Sequence, residues 1–145
     1  MKDLLYRNIY MHPSVYPYRT TVEFEEVDAY GIAHHSRLIC YLERARVRFF
    51  KDAGIDVGDG AFQLVLVDMN LRFISPARFM EEILVELSVA ELRGASLVWN
   101  YAMRECCTSR PILEGNIKMA SVGKNLKPVR FPEAVAERCR QYLKS

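Results

Sequence analysis

Phe24–Phe50 reads FEEVDAYGIAHHSRLICYLERARVRFF, and its two halves are chemically unlike. Asp28 to His35 brings a carboxylate, a glycine and two histidines into one short loop. From Ser36 to Asp52 the pattern is that of one long amphipathic helix. Leu38, Leu42, Ala45 and Phe49 recur at helical spacing, and Arg37, Arg44, Arg48 and Lys51 fall on another face. Gly54 stands where a helix stop belongs. The polar loop therefore feeds a helix start, whose unpaired N–H groups and partial positive charge can hold an anion or polarise a carbonyl oxygen.

On the N-terminal side, residues 18–27 read as extended, with Val22 and Phe24 on one face and Thr21, Glu23 and Glu25 on the other. Residues 1–17 are aromatic and punctuated by Pro13 and Pro17, which suggests an irregular lead-in to a single domain over 18–145. On the C-terminal side, the glycine-punctuated stretch 54–60 leads to four further strands. The first, 62–74, alternates Val65, Val67, Met69, Leu71 and Phe73 with Asp68, Asn70 and Arg72, and ends at Ser75-Pro76. The second, 82–92, alternates Ile83, Val85, Leu87 and Val89 with Glu86 and Ser88. The third, 95–105, carries Leu97, Trp99, Tyr101 and Met103, and the last, 112–122, carries Leu113, Ile117 and Met119. Short connections predict an antiparallel meander of these four. Residues 133–144 read as a short terminal helix. Strand, long helix and four strands make a two-layer α+β domain, with a five-stranded antiparallel sheet covered by one helix.

The bulk composition excludes several functions. A chain of 145 residues that is 50% hydrophobic can build a core without metal or disulfide staples. A net charge of +2 without a dense basic run gives no nucleic-acid footprint. No apolar run reaches membrane length and no leader pattern opens the chain, so neither a span nor export is expected. Cys40, Cys106, Cys107 and Cys139 form neither a CxxC pair nor a zinc spacing, which suits reduced thiols in a cytoplasmic protein with no metal and no cofactor.

The order of elements is that of the hotdog fold, in which a sheet wraps a long central helix. Asp28, Gly31 and His35, followed by Tyr41-Leu42-Glu43-Arg44-Ala45-Arg46, resemble the pattern of the 4-hydroxybenzoyl-CoA thioesterase-like group, and of its YbgC-type acyl-CoA thioesterase branch. Leu71–Arg78, Arg93-Gly94-Ala95-Ser96 and Glu114-Gly115 extend the resemblance over residues 18–130. One departure is Phe24, where YbgC-type enzymes tend to carry a tyrosine.

The resemblance implies thioester hydrolysis. A thiolate leaves readily because thiol pKa values lie near ~8.5, so little acid help is needed. Asp28 would attack the carbonyl as a nucleophile or activate water as a base. Its spacing to Gly31 equally suits a turn or cap. The N–H of His35 at the helix start would polarise the carbonyl, and its ring would position water or substrate or simply be a satisfied loop histidine. Adjacent His34 reads as structural or exposed, and the pair alone is a weak metal motif. Phe24, Gly31 and Ile32 fall on the substrate side, Gly31 permitting close backbone approach. Arg78 can contact coenzyme A phosphates or stay a solvated charge. Glu43 can face the core or pair with a nearby arginine. The substrate is expected to be an acyl-CoA or an acyl-carrier-protein thioester. A non-hydrolytic acyl-CoA binder, suggested by Phe24, is the alternative, and hotdog dehydratases are disfavoured because their histidine motifs are missing. An open five-stranded sheet with no short or proline-broken strand leaves edges to be paired, and the resemblance implies a homodimer or homotetramer whose active site is built by two chains.

Overall fold

The computed structural model describes residues 14–57 and 62–144. Its elements are β1 (Tyr16–Thr21), α1 (His35–Lys51), β2 (Gln63–Phe73), β3 (Glu82–Arg93), β4 (Ser96–Glu105), β5 (Pro111–Val122) and α2 (Glu133–Arg140). The strands form one antiparallel sheet in the order β1-β3-β4-β5-β2. This is the α+β, five-stranded architecture that the resemblance implies. The helical stripe is buried as its spacing requires: Leu38, Tyr41, Leu42, Ala45, Phe49 and Phe50 all enter the core. Phe49 meets Trp99 of β4 edge to face, with ring centroids 5.3 Å apart. Such aromatic pairs add about 1 kcal/mol beyond their buried area.

Four expectations need correction. Only β3, β4 and β5 form a meander. β2 pairs with β5 and lies at the far edge, because residues 74–81 cross the end of the sheet instead of closing a hairpin. The crossing segment is tied down as it passes the start of β5: Ile74 N–H donates to the Ile112 carbonyl at 2.8 Å and Ser75 Oγ to the Pro111 carbonyl at 2.6 Å.

The second correction is the phase of β2. A bulge between Leu66 and Asp68 lets Val67 slip out of register, and a bulge reverses the facing of all that follows. Leu64 before the bulge and Met69 and Leu71 after it therefore pack on the core, whereas Val67 at the bulge is 54% exposed. Phe73 shares the phase of Met69 and Leu71 but ends the strand at the cavity and is 49% exposed.

Third, the first strand spans Tyr16–Thr21, so it begins inside the expected lead-in and stops short of Val27. Residues 1–13 of that lead-in lie outside the described part. Phe24–Glu26 form a 3-10 turn, closed by Glu23 N–H donating to the Glu26 side chain at 3.0 Å. Val22 is fully buried, but the turn swings Phe24 out to 76% exposure. β1 is also short and carries Pro17, which an edge strand tolerates because one of its sides has no ladder partner.

Fourth, the terminal helix ends at Arg140. Leu143 then adds a parallel bridge to Val89, beside the bulge in β3. The cysteines are present as thiols: Cys106 and Cys139 are buried, Cys40 is half-buried and Cys107 is exposed. Burial pushes the Cys139 thiol up to about 12.

Candidate active site

The loop before α1 is a miniature hairpin. Val27 and Ala33 pair as an antiparallel bridge, with Asp28 N–H donating to the Ile32 carbonyl at 2.9 Å and His34 N–H to the Glu26 carbonyl at 3.1 Å. At the tip, Gly31 N–H donates to the Asp28 carbonyl at 3.0 Å, and Gly31 adopts φ +75°, which a side chain would disfavour. The Asp28 carboxylate accepts the Tyr30 N–H through Oδ1 at 2.8 Å. The turn-forming reading of Asp28 is thus present, and it orients the carboxylate while leaving Oδ2 outside that bond.

His34 caps α1. Its Nδ1 accepts the Ser36 N–H at 3.3 Å and lies 2.8 Å from Ser36 Oγ, and its carbonyl takes the Arg37 N–H at 2.8 Å. The helix itself supplies no acceptor for the N–H of His35, its first residue. The rings of His34 and His35 lie 4.1 Å apart, and His35 meets Phe73 edge to face at 6.4 Å.

Asp28, Ile32 and His35 line one cavity of about 350 Å³, together with Leu38 of α1 and Phe73 and Ser75 from the end of β2. That is the lower end of small-ligand sites. The other expected site residues do not line it. Gly31 shapes the loop tip. Arg78 pairs its backbone with Ile32 and keeps its side chain exposed. Phe24 rests against Phe79, its ring centroid 6.1 Å away. Glu43 is exposed rather than core-facing. Among the described residues, no group of three or more His, Cys, Asp or Glu is placed to hold a metal ion.

The far wall of the cavity is held by a residue that no local pattern marks. Arg110 grips Glu81 with both arms of its guanidinium, at 3.0 and 2.8 Å. It also donates to Ser75 Oγ and the Pro76 carbonyl, so one side chain fixes both ends of segment 75–81. The Arg110 hydrogen bonds hold the Glu81 carboxyl below its ordinary value. Nearby Glu105 is buried, which alone would raise its pKa. Hydrogen bonds from Thr108 Oγ1 and from the Cys107 and Thr108 N–H groups outweigh that and bring it to about 2.

Both carboxyls are depressed in the folded state. They contribute stability fully above the unfolded value of 4.5 and lose it as pH falls toward the lower folded values. Thermal melts should therefore fall as pH drops below about 4.5. Glu105→Gln should cost about 1–3 kcal/mol at neutral pH and flatten that acid decline. An unchanged acid profile in Glu105→Gln would remove Glu105 from the acid response.

Residues 22–139 match the thioesterase-like superfamily. The chain belongs to that superfamily. An esterase-designated protein of Aquifex aeolicus is 30% identical over 123 residues, covering 83% of this chain and 94% of that one. The acyl-CoA thioesterase YbgC of Haemophilus influenzae is 25% identical over 120 residues, 79% of this chain and 86% of its own. A 1,4-dihydroxy-2-naphthoyl-CoA thioesterase from Synechocystis superposes with a TM-score of 0.82 over 87% of this chain and 96% of that structure, at 14% identity. The fold thus persists where the sequence has largely diverged. Among the described residues, no helix of this superfamily member is long and apolar enough to cross a membrane.

Proposed function

We propose that this protein hydrolyses acyl-CoA thioesters, with Asp28 as the reacting carboxylate and the N–H of His35 polarising the carbonyl. The observation that carries this is the shared cavity: a carboxylate and a helix start open into one partly apolar space. In one route an Asp28 oxygen bonds to the carbonyl carbon, the C–S bond breaks, and coenzyme A leaves as a thiolate that takes a proton from water. Water then cleaves the mixed anhydride to free acid and regenerated carboxylate. In the other route Asp28 takes a proton from water as the hydroxide bonds to the carbonyl carbon, the C–S bond breaks, and the departing thiolate takes the proton back from Asp28. The developing oxyanion meets the helix-start N–H in both. The His35 ring positions water or substrate at the cavity mouth, Ile32 forms part of its loop wall, and Gly31 holds the turn at the loop tip. Arg78 and Phe24 lie outside it, where the coenzyme A portion would extend. The reduced thiols are consistent with a cytoplasmic location.

A thiol-release assay over acyl-CoAs of increasing length tests this reading. Release identifies a hydrolase. Tight binding without release identifies the acyl-CoA binder, and release only from acyl-carrier-protein thioesters identifies the other carrier.

The active assembly is a homodimer, or a homotetramer built from two such dimers. β1 is blunted by Pro17, but β2 is a long edge of eleven residues with Leu66, Val67 and Phe73 exposed. Antiparallel pairing of two β2 edges about a two-fold axis would satisfy both. It would bring residues 62–68 of the partner beside Phe73, which lines the Asp28 cavity. Light scattering should give at least twice 16.8 kDa, and a fully active monomer of 16.8 kDa would overturn the shared site.

A further inference from the structure

Glu26 breaks the pattern of outward-facing charge. It is only 5% exposed, although Glu23 and Glu25 on either side of Phe24 are solvated. Its Oε1 accepts the Tyr41 hydroxyl at 2.8 Å and the Glu23 N–H at 3.0 Å. Its Oε2 is buried without a partner among the described residues. A buried carboxylate with one oxygen unpaired lowers stability relative to an apolar side chain of the same size. Stability alone therefore does not account for a glutamate at this place.

Its position does. Tyr41 is fully buried in the second turn of α1, and burial together with Glu26 raises its phenol pKa, so the hydroxyl remains a donor. The carbonyl of the same Glu26 takes the His34 N–H, immediately before the helix. Asp28 follows two residues later, on the loop whose last rung is that bond. Glu26 thus grips α1 through its side chain and the helix cap through its main chain. We infer that Glu26 and Tyr41 are a positioning pair, whose buried hydrogen bond sets the height of the Asp28 loop on α1 and so the separation of the Asp28 carboxylate from the His35 N–H. A misplacement of about 1 Å at a reacting group can cost as much as a hundredfold.

This inference rests on Asp28 being the reacting carboxylate. Tyr41→Phe removes one hydroxyl and keeps the packing. It should lower kcat about tenfold with KM within twofold, and speed hydrogen exchange of the His34 amide. Glu26→Gln should do the same, and the double variant should be no slower than the slower single one, as expected of groups acting as a unit. A merely structural pair would lower the melting temperature and leave kcat of the folded protein unchanged. An unchanged kcat, an unchanged His34 exchange rate, or losses that add in the double variant would each overturn the pair. If Glu26→Gln does not fold, Tyr41→Phe alone decides. Asp28→Asn in the same assay separates the two failures. Near-normal turnover there removes the functional reading itself, whereas an inactive Asp28→Asn beside a fully active Tyr41→Phe removes only the positioning pair.

Discussion

Asp28→Asn is expected to lower turnover by on the order of a hundredfold or more while leaving the fold intact. The amide oxygen can still accept the Tyr30 N–H, so the loop tip keeps its shape. What disappears is the negative charge, and with it both the nucleophile and the base. A single turnover in ¹⁸O-labelled water distinguishes the two routes. Label found in the Asp28 carboxylate identifies attack by Asp28, with water then opening the anhydride at the Asp28 carbonyl, because the base route never labels the protein. A folded Asp28→Asn protein with near-normal kcat would exclude Asp28 from the reaction.

Gly115→Ala is expected to have the largest effect on stability. Gly115 lies in β5, between Tyr101 of β4 and Leu71 of β2, at φ +154°. A Cβ there would stand 2.1 Å from the Asn70 carbonyl oxygen and 2.9 Å from the Leu71 Cα. Both are backbone atoms of the edge strand, so no side-chain rotation relieves the clash, and β2 must move. Overpacking against backbone should cost about 3–5 kcal/mol, a large part of the ~5–15 kcal/mol that holds a domain together. The melting temperature should fall by roughly 10–20 °C. Because β2 ends in Phe73, which lines the cavity, the surviving folded fraction should also bind substrate more weakly. A loss below 1 kcal/mol in urea titration would mean that β2 yields freely at Asn70.

What the sequence reveals depends on the range of the interaction. α1 is legible because Leu38, Leu42, Ala45 and Phe49 lie along a single helix and need no partner to be recognised. The core faces of β3, β4 and β5 are legible for the same reason, since alternation is local. The edge position of β2 is not, because its pairing with β5 depends on where segment 74–81 crosses, and Arg110 holds that crossing from thirty residues away. The bulge at Val67 is equally hidden, since the run Leu64 to Val67 is apolar at every position and favours neither facing. At the site, Asp28, Gly31 and His35 stand out by residue type and spacing. The Glu26–Tyr41 hydrogen bond does not, because its partners sit on different elements and a glutamate beside other glutamates looks like a solvated face.

The unequal burial of the cysteines has a practical consequence for following the reaction. Reagents that colour on meeting the thiol of released coenzyme A also attack protein thiolates. Cys106 and Cys139 are shielded, and the thiol of each is held above its ordinary pKa by burial. The intact chain therefore presents Cys107 at once and Cys40 more slowly, while a denatured chain presents all four. The absorbance jump before substrate is added becomes a titration of intact protein, so each progress curve reports in its first seconds how much of the sample is folded.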